Sequence, residues 1–271
     1  MASRAAQEWG QTPFFAQARS IAWANTGLRP ARHRAAKRRS GGLFARARLL
    51  LWRRGTPLVP LPERLRIFPL SEVVLFPDTL LPLHIFEARY RKMLSDALDT
   101  DRMIGMVLVK DAEAGPTPSV YPVGCAGTIV EHKPFADGRS LVVLKGIVKF
   151  RIRRELEVDE PYRMVEAQAL YEGPPPMEKV REWRDELHGC VRDLVRAASG
   201  EQDTVERLFE KIDLLAMTNS LSASLPLDVL EKQSLLECPT IEDRERRLTE
   251  FLRFKTVEAQ LGLDGSRPND S

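Results

Sequence analysis

The sequence has 271 residues, of which 43% are hydrophobic and 29% charged, so it can form one large globular domain or two small ones. Its net charge of +3 combines two opposed parts, because residues 1–60 hold twelve basic residues and one acidic residue, whereas residues 61–271 hold 29 and 37. The four histidines lack ligand spacing, and no apolar run approaches the ~20 residues of a membrane span. Composition therefore argues against a zinc site and a transmembrane protein.

The cysteine pattern points to a reducing compartment. The absence of known catalytic motifs argues against an active site. Cys125, Cys190 and Cys238 are an odd, scattered set without a C-x-x-C pair, so we expect small core residues in a cytoplasmic protein. The sequence has no phosphate-binding G-x-x-x-x-G-K-[ST], no G-x-S-x-G and no dinucleotide-binding G-x-G-x-x-G. No enzyme activity and no cofactor are predicted.

Residues 1–60 form a basic leader, with a net charge of +11, that we expect to be disordered. Residues 43–54, LFARARLLLWRR, have the pattern of a basic amphipathic helix that could bind an anionic membrane or nucleic acid. The same composition is typical of an organellar transit peptide. Another interpretation stays open, in which residues 1–57 are an over-extended gene start. After Met1 the next methionine is Met93, but a bacterial start codon that is read internally as leucine or valine could lie at Leu58 or Val59.

Residues 61–173 are expected to form a β-structure with one helix inserted early. Short apolar runs separated by turn residues predict strands at 66–70, 73–76, 103–109, 127–133, 140–146, 148–154 and 162–170, with 80–86 extended. Asp137-Gly138 predicts a hairpin turn, and Gly146 predicts a bend or bulge. Seven or so short strands at this spacing indicate a small closed or nearly closed barrel.

Two amphipathic patterns make the prediction for residues 61–173 more specific. Phe86, Tyr90, Met93 and Ala97 fall at helical spacing and predict the inserted helix. In residues 148–153 apolar and basic residues alternate, which predicts a half-exposed strand with Lys149 on the solvent face.

Residues 177–259 are expected to form a four-helix subdomain after the stiff spacer EGPPPMEK. The first two helices are predicted from apolar residues at helical spacing in 180–194 and 205–215. A third helix is predicted to open at Ser224-Leu225-Pro226, and Thr240 with Asp243 predicts a capping box for a fourth over 241–260. Residues 260–271 are expected to be a disordered tail.

Four residues are candidates for a function, and each of them also fits a structural role. His84 lies in an apolar run, so we expect a core or rim histidine, or a polar contact in a binding groove, rather than a catalytic group. Glu87 and Arg89 are expected to cap the inserted helix or tie it to the barrel, and Trp183 to lie in the helical core. No catalytic, cofactor-binding or metal-binding residue is assigned. Binding is expected near residues 76–90 and in the groove between barrel and helices.

Three blocks of sequence together resemble one known family. They are FPLSEVVLFPDTLLPLHIFEARYRKML, VGCAGTIVEHKPFADGRSLVVLKGIVKFRI and LPLDVLEKQSLLECPTIEDRERRLTEFL, in this order. They are similar to the N-terminal substrate-binding domain of Lon protease, over residues 66 to 256. The resemblance implies an α+β fold, with a PUA-like β-barrel followed by a helical bundle, as in cereblon. The ATPase and Ser-Lys peptidase modules of full-length Lon have no counterpart here, so proteolysis is not expected.

Two functions follow from the resemblance. The first is a non-catalytic module that binds unfolded or exposed hydrophobic segments of proteins, as an adaptor for a separate ATP-dependent protease. The alternative is an RNA-binding PUA-like protein that uses the basic leader for phosphate contacts. Residues 61–271 carry a net charge of −8, the wrong sign for a phosphate-binding face, which favours the first function.

Overall fold

The computed structural model describes residues 60–111, 117–198 and 213–261. The predictions for the leader, for most of the helix at 205–215 and for the tail beyond residue 261 lie outside the described residues. Six strands are described, namely β1 (Leu65–Leu70), β2 (Leu80–Ile85), β3 (Met103–Leu108), β4 (Val123–Pro134), β5 (Ser140–Leu156) and β6 (Met164–Leu170). Five helices are described, namely α1 (Ala88–Asp99), α2 (Met177–Ala198), α3 (Leu214–Ser224), α4 (Val229–Glu237) and α5 (Ile241–Leu261).

The six strands form one mixed sheet in the order β2-β5-β4-β3-β1-β6, so the protein is α+β, as predicted. β1 pairs with β3 in parallel, and the other pairings are antiparallel. β5 also pairs with β6, so the pairings from β5 through β4, β3, β1 and β6 return to β5 as a ring. β2 lies outside this ring, at one end of the strand order.

β5 runs unbroken through Gly146, where two separate strands were predicted. The register against β4 shifts between Ala126 and Gly127, opposite Gly146, so the predicted bulge is confirmed. On its other edge β5 pairs with β2 before Gly146 and with β6 after Ile147. The bulge therefore marks the point at which one long strand exchanges one neighbour for another.

The strand predicted at 73–76 is wrong, because these residues form an irregular segment ending in a tight turn. Asp78 has a positive φ of 60°, and the Thr79 hydroxyl donates to the Phe76 carbonyl over 2.8 Å. The Gly146 amide in turn donates to the Thr79 carbonyl over 2.9 Å. The segment thus packs across the bulge of β5 instead of pairing in the ladder.

The inserted helix α1 buries Tyr90, Met93, Leu94 and Ala97, as its pattern predicts. Phe86 does not belong to this face, because the helix begins at Ala88 and the Phe86 side chain is 59% exposed. The hairpin predicted at Asp137-Gly138 is confirmed, with Gly138 at a φ of 83°.

The described helices after the sheet agree with the predicted pattern at α2 and α5. The predicted start of the third helix at Ser224 is wrong, because Ser224 ends α3 and α4 begins only at Val229. Pro226 explains the gap, since a proline disfavours helical geometry at the residue before it, and Leu225 is extended. A capping box between Asp228 and Glu231 then starts α4. The last helix reaches Leu261, one residue beyond the predicted end at residue 260.

One hydrophobic core joins the sheet to the helices. It contains Met93 of α1 and Leu144 of β5, packed together with Leu187 of α2 and Leu248 of α5. A second, smaller cluster around Phe150 is built from residues of the ring of strands. Among the described helices, none has the length and apolarity needed to cross a membrane.

Candidate functional site

An exposed apolar surface lies where β2 meets the β4–β5 hairpin. It consists of His84, Phe86, Phe135 and Leu141, which we call the outer-face patch. Phe86 is 59% exposed, Leu141 44% and Phe135 37%, and His84 is also exposed. The His84 ring lies between two phenylalanine rings, 5.9 Å from Phe86 and 6.3 Å from Phe135 between centroids. Exposed aromatic side chains gathered in one place are typical of an interaction surface.

The strand geometry places these side chains on one face. Along β2 the side chains of Leu83 and Ile85 are buried, so the alternation of a strand turns His84 outward. His84 pairs in register with Leu141 of β5, which brings their side chains to the same face. Phe135 is held at the start of the hairpin turn, where its amide donates to the Arg139 carbonyl over 2.8 Å.

The charged residues around the patch are only partly neutralised. Arg89 pairs with Glu87 over 2.9 Å, and Arg139 pairs with Asp137 over 2.6 Å. Arg91, which lies beside Gly138 of the hairpin turn, and Lys133 form no ion pair among the described residues. Glu131, two residues before Lys133 on β4, likewise forms no ion pair among the described residues, so unpaired charges of both signs lie near the patch.

The four candidate residues named from the sequence have different surroundings in the structure. His84 is exposed, so its interpretation as a core residue is wrong and that of a rim residue holds. Glu87 occupies the N-cap position of α1, but its side chain caps no amide and accepts from Arg89 instead. Trp183 is 5% exposed within the main core, as predicted. Of the four, the geometry brings only His84 into the outer-face patch.

A buried ionic cluster joins the sheet to the helices. The Lys149 ammonium on β5 donates to Glu172 over 2.7 Å and to the Cys238 carbonyl over 2.6 Å. The Arg244 guanidinium on α5 donates to the same Glu172 carboxylate and, over 2.6 Å, to the Asn219 side chain. The predicted solvent position of Lys149 is wrong, since only 2% of this residue is exposed. Most of its polar groups are occupied by one another, so this cluster joins the sheet to the helices, and the Asn219 Nδ2 atom is left buried without a hydrogen-bond partner among the described residues.

The pKa shifts in the cluster follow from burial. Desolvation lowers the pKa of Lys149, and the neighbouring Arg244 charge lowers it further, while Glu172 opposes both effects. Burial likewise raises the pKa of the Cys125 thiol to about 12. Cys125 is fully buried among core residues, so it has the core role that was predicted.

A cleft of about 410 Å³ between β1, α1 and β6 is a weaker candidate. Several of its polar groups are joined to one another: Lys92 pairs with Asp96 over 2.6 Å, and the Tyr162 hydroxyl donates to Asp96 over 2.7 Å. Arg66 pairs with Asp101 beside it over 3.1 Å. Within the described ranges, no three His, Cys, Asp or Glu side chains are placed to hold a metal ion.

Sequence reasoning missed Phe135, Leu141 and the buried cluster. The signal for Phe135 was present, because a phenylalanine beside an Asp-Gly turn has little chance of reaching a core. Leu141 gave no such signal, since residues 141–144 are uniformly apolar and show no alternation. Lys149 follows a regular alternation, so only the position of Glu172 and Cys238 in the fold reveals its burial.

Comparison with known proteins identifies the family. The family model for the ATP-dependent protease La (LON) substrate-binding domain matches residues 64–253. The Lon protease of Trichlorobacter lovleyi is 32% identical over 196 residues, which are 70% of this chain and 23% of that protein. Lon protease 2 of Syntrophobacter fumaroxidans is 27% identical over 203 residues, 74% of this chain and 26% of that protein. The chain thus spans about a quarter of the length of the curated relatives it matches.

Solved structures show the same fold. The N-terminal domain of the Lon protease of the Mycobacterium avium complex aligns with a TM-score of 0.52 at 16% identity, covering 72% of this chain and 98% of that one. A Lon N-terminal domain protein from Xanthomonas campestris aligns with a TM-score of 0.50 at 23% identity, covering 70% and 98%. The chain belongs to the LON substrate-binding domain family.

Proposed function

We propose that this protein is a non-catalytic recognition module that binds exposed apolar segments of unfolded polypeptides. The outer-face patch is the observation that carries the proposal, because it presents two phenylalanines and a leucine to solvent where β2 meets the β4–β5 hairpin. Membership of a substrate-binding family supports a role in recognition. Apolar burial is non-directional, so such a surface suits many clients and binds each of them weakly.

The proposal extends to the architecture and the partner. Residues 61–173 would form a PUA-like barrel, for which the closed ring of pairings is the support, and residues 177–259 a four-helix unit. The relatives are proteases about three times as long as this chain, and their whole activity is not transferred to it. Within the proposal, the module presents its clients to a separate ATP-dependent protease.

The experiment is a titration of the full chain into a fluorescently labelled, permanently unfolded protein, read by anisotropy without ATP. We expect saturable binding that weakens about tenfold in Phe86→Ser, because burial of one large apolar side chain contributes about 1.5–3 kcal/mol. Phe254→Ser is the matched control, since Phe254 is 57% exposed on α5, almost as much as Phe86. No saturable binding, or equal losses in both variants, would contradict the proposal.

Nucleic acid is the disfavoured ligand class. Residues 61–271 carry eight more acidic than basic residues, so phosphate contacts would depend on the leader. In the same titration, we expect labelled single-stranded RNA to bind less tightly than unfolded protein at 150 mM salt. RNA affinity that exceeds the affinity for unfolded protein and falls steeply with salt would reverse this ranking.

A further inference from the structure

A cavity of about 220 Å³ lies between α2 and α5, which we call the acidic pocket. Its lining consists of four glutamates, two arginines, a threonine and a tryptophan. One of the arginines, Arg253 of α5, pairs with Glu186 of α2 over 2.7 Å and so joins the two helices. The pocket is smaller than the usual site of a drug-sized ligand, and it suits one long side chain.

Negative charge is in excess in the acidic pocket. Three carboxylates of the lining form no ion pair among the described residues, namely those of Glu242, Glu245 and Glu250. Arg246, the second arginine of the lining, is held by Asp243 over 2.8 Å. Lys179 lies on the Trp183 side of the pocket, with its ammonium 5.8 Å from the ring centroid, and offsets one of the three charges at most. The pocket therefore lacks cations.

Glu245 is the carboxylate of the pocket with the strongest need for a cation. Only 4% of the residue is exposed, and the Thr249 hydroxyl donates to its Oε1 atom over 3.1 Å, whereas its Oε2 atom accepts no hydrogen bond among the described residues. Burial raises the pKa of the Glu245 carboxyl, Glu186 and Glu182 raise it further, and Thr249 and Arg253 oppose the shift. A buried carboxylate is stabilised in its charged form by a cation beside it. The Oε2 atom and the surrounding carboxylates thus form a site for a cationic group.

The basic leader supplies such groups within the same chain. Eleven of the twelve basic residues in 1–60 are arginines, and six of the twelve lie in residues 29–39, RPARHRAAKRR. A guanidinium donates to two carboxylate oxygens at once, which an ammonium does less well.

The length of the leader allows it to reach the pocket. Arg39 stands 21 positions before Pro60, the first described residue, and a chain of that length spans up to about 70 Å when extended. A folded unit of ~200 residues has a radius of gyration of about 16 Å, so its whole surface lies within that distance.

We propose that the acidic pocket binds an arginine side chain from residues 29–39, so that the leader folds back onto its own chain. The guanidinium donates to Oε2 of Glu245, and the carboxylates of Glu242 and Glu250 add to the attraction. The net charges of +11 for residues 1–60 and −8 for residues 61–271 favour the arrangement. The outer-face patch is a separate surface on β2 and the β4–β5 hairpin, so client binding does not depend on the pocket.

The first test measures how fast phenylglyoxal modifies each leader arginine of the full chain, with the modified residues located by mass spectrometry. The variant Glu242→Gln/Glu245→Gln/Glu250→Gln removes the three unpaired carboxylates. In about 20 mM salt, where exposed charges are little screened, we expect at least one arginine of residues 29–39 to react about threefold more slowly in the wild type, because a tethered group has an effective concentration near millimolar. Equal rates in the two proteins would overturn the proposal.

A matched control removes as much negative charge elsewhere. It is Glu131→Gln/Glu157→Gln/Asp159→Asn, at exposed positions on β4 and between β5 and β6. We expect this variant to keep the slow wild-type rates. The same loss of slowing in both variants would mean that the leader is attracted by the acidity of the whole folded part, and would overturn the assignment to the pocket.

A salt series on the wild-type chain needs no variant to fold. An ion pair at the mouth of a pocket is screened by salt, so about 500 mM salt should raise the wild-type rates to those of the variant without pocket carboxylates. Slowing that persists undiminished at this salt concentration would contradict an ionic contact.

Dilution distinguishes the other occupants. Slowing that is equal at about 10 µM and about 0.5 µM protein means that the leader binds its own chain, since an effective concentration does not change on dilution. Slowing that disappears on dilution would assign the pocket to the leader of a second copy. Unslowed leader arginines, together with a labelled peptide of residues 29–42 that binds the wild type and not the variant without pocket carboxylates, would assign it to a basic segment of another protein. Either result overturns the proposal.

Discussion

At the scale of single residues, the burial of Lys149 shows how tertiary contacts override a local pattern. The residue alternates with Val148 and Phe150 and would face solvent in an isolated hairpin. In the folded protein α4 and the segment after β6 cover that face and supply two oxygen acceptors. Hydrogen bonds to Glu172 and to a backbone carbonyl offset the free-energy cost of removing the ammonium from water, as a buried charge requires.

Removal of this ammonium should destabilise the whole fold. We expect Lys149→Met to lower the free energy of unfolding by about 2 kcal/mol, because the Cys238 carbonyl is left buried without its donor. Lys145→Met is the matched control on the same strand. Lys145 is 46% exposed, its contact with Asp78 is 3.8 Å long, and its loss should cost less than about 0.5 kcal/mol. Urea unfolding measures both, and equal midpoints would contradict the structural role of the cluster.

At the scale of elements, β5 shows what local signals can and cannot predict. Gly146 was recognised as a bend, yet the prediction ended a strand there, whereas the structure continues the strand and changes its neighbour. The physical reason lies outside the strand, because the turn at residues 76–79 supplies hydrogen-bond partners to both backbone groups of Gly146. The helices α1, α2 and α5 were predictable because each shows a regular apolar pattern.

The close approach of Phe76 makes Gly146 irreplaceable. A Cβ at this position would lie 2.0 Å from the Phe76 carbonyl oxygen, and the next nearest atoms are also backbone, of Phe76 and Pro77, so no side-chain movement can relieve the contact. We therefore expect Gly146→Ala to destabilise the protein by at least about 3 kcal/mol. Gly189→Ala in α2, where nothing lies within 4 Å of the added carbon, should stabilise by up to about 1 kcal/mol. Thermal unfolding followed by circular dichroism compares them, and a Gly146→Ala protein as stable as wild type would refute the packing described here.

At the scale of the whole molecule, the sequence predicted the α+β class and the family, because three blocks of sequence in a fixed order carry the resemblance. It predicted a binding locality near residues 76–90, which stays a prediction, and the structure shows an exposed apolar surface at the same place. That surface could not be predicted in full, because Phe135 and Leu141 reach it only through the pairing of β5 with β2 and β4. The opposed charges of the leader and the remaining chain were visible at once, but they do not locate a binding surface.

The most direct test of the central claim is amide hydrogen exchange of the full chain with and without a saturating, permanently unfolded protein. If clients bind at the outer-face patch, exchange should slow at residues 80–86 and 135–141 and stay unchanged over α5. The exposed Phe254, Val257 and Leu261 at the end of α5 provide the internal comparison, since they form another apolar surface. Slowing confined to α5, or no slowing anywhere under saturating conditions, would contradict the account.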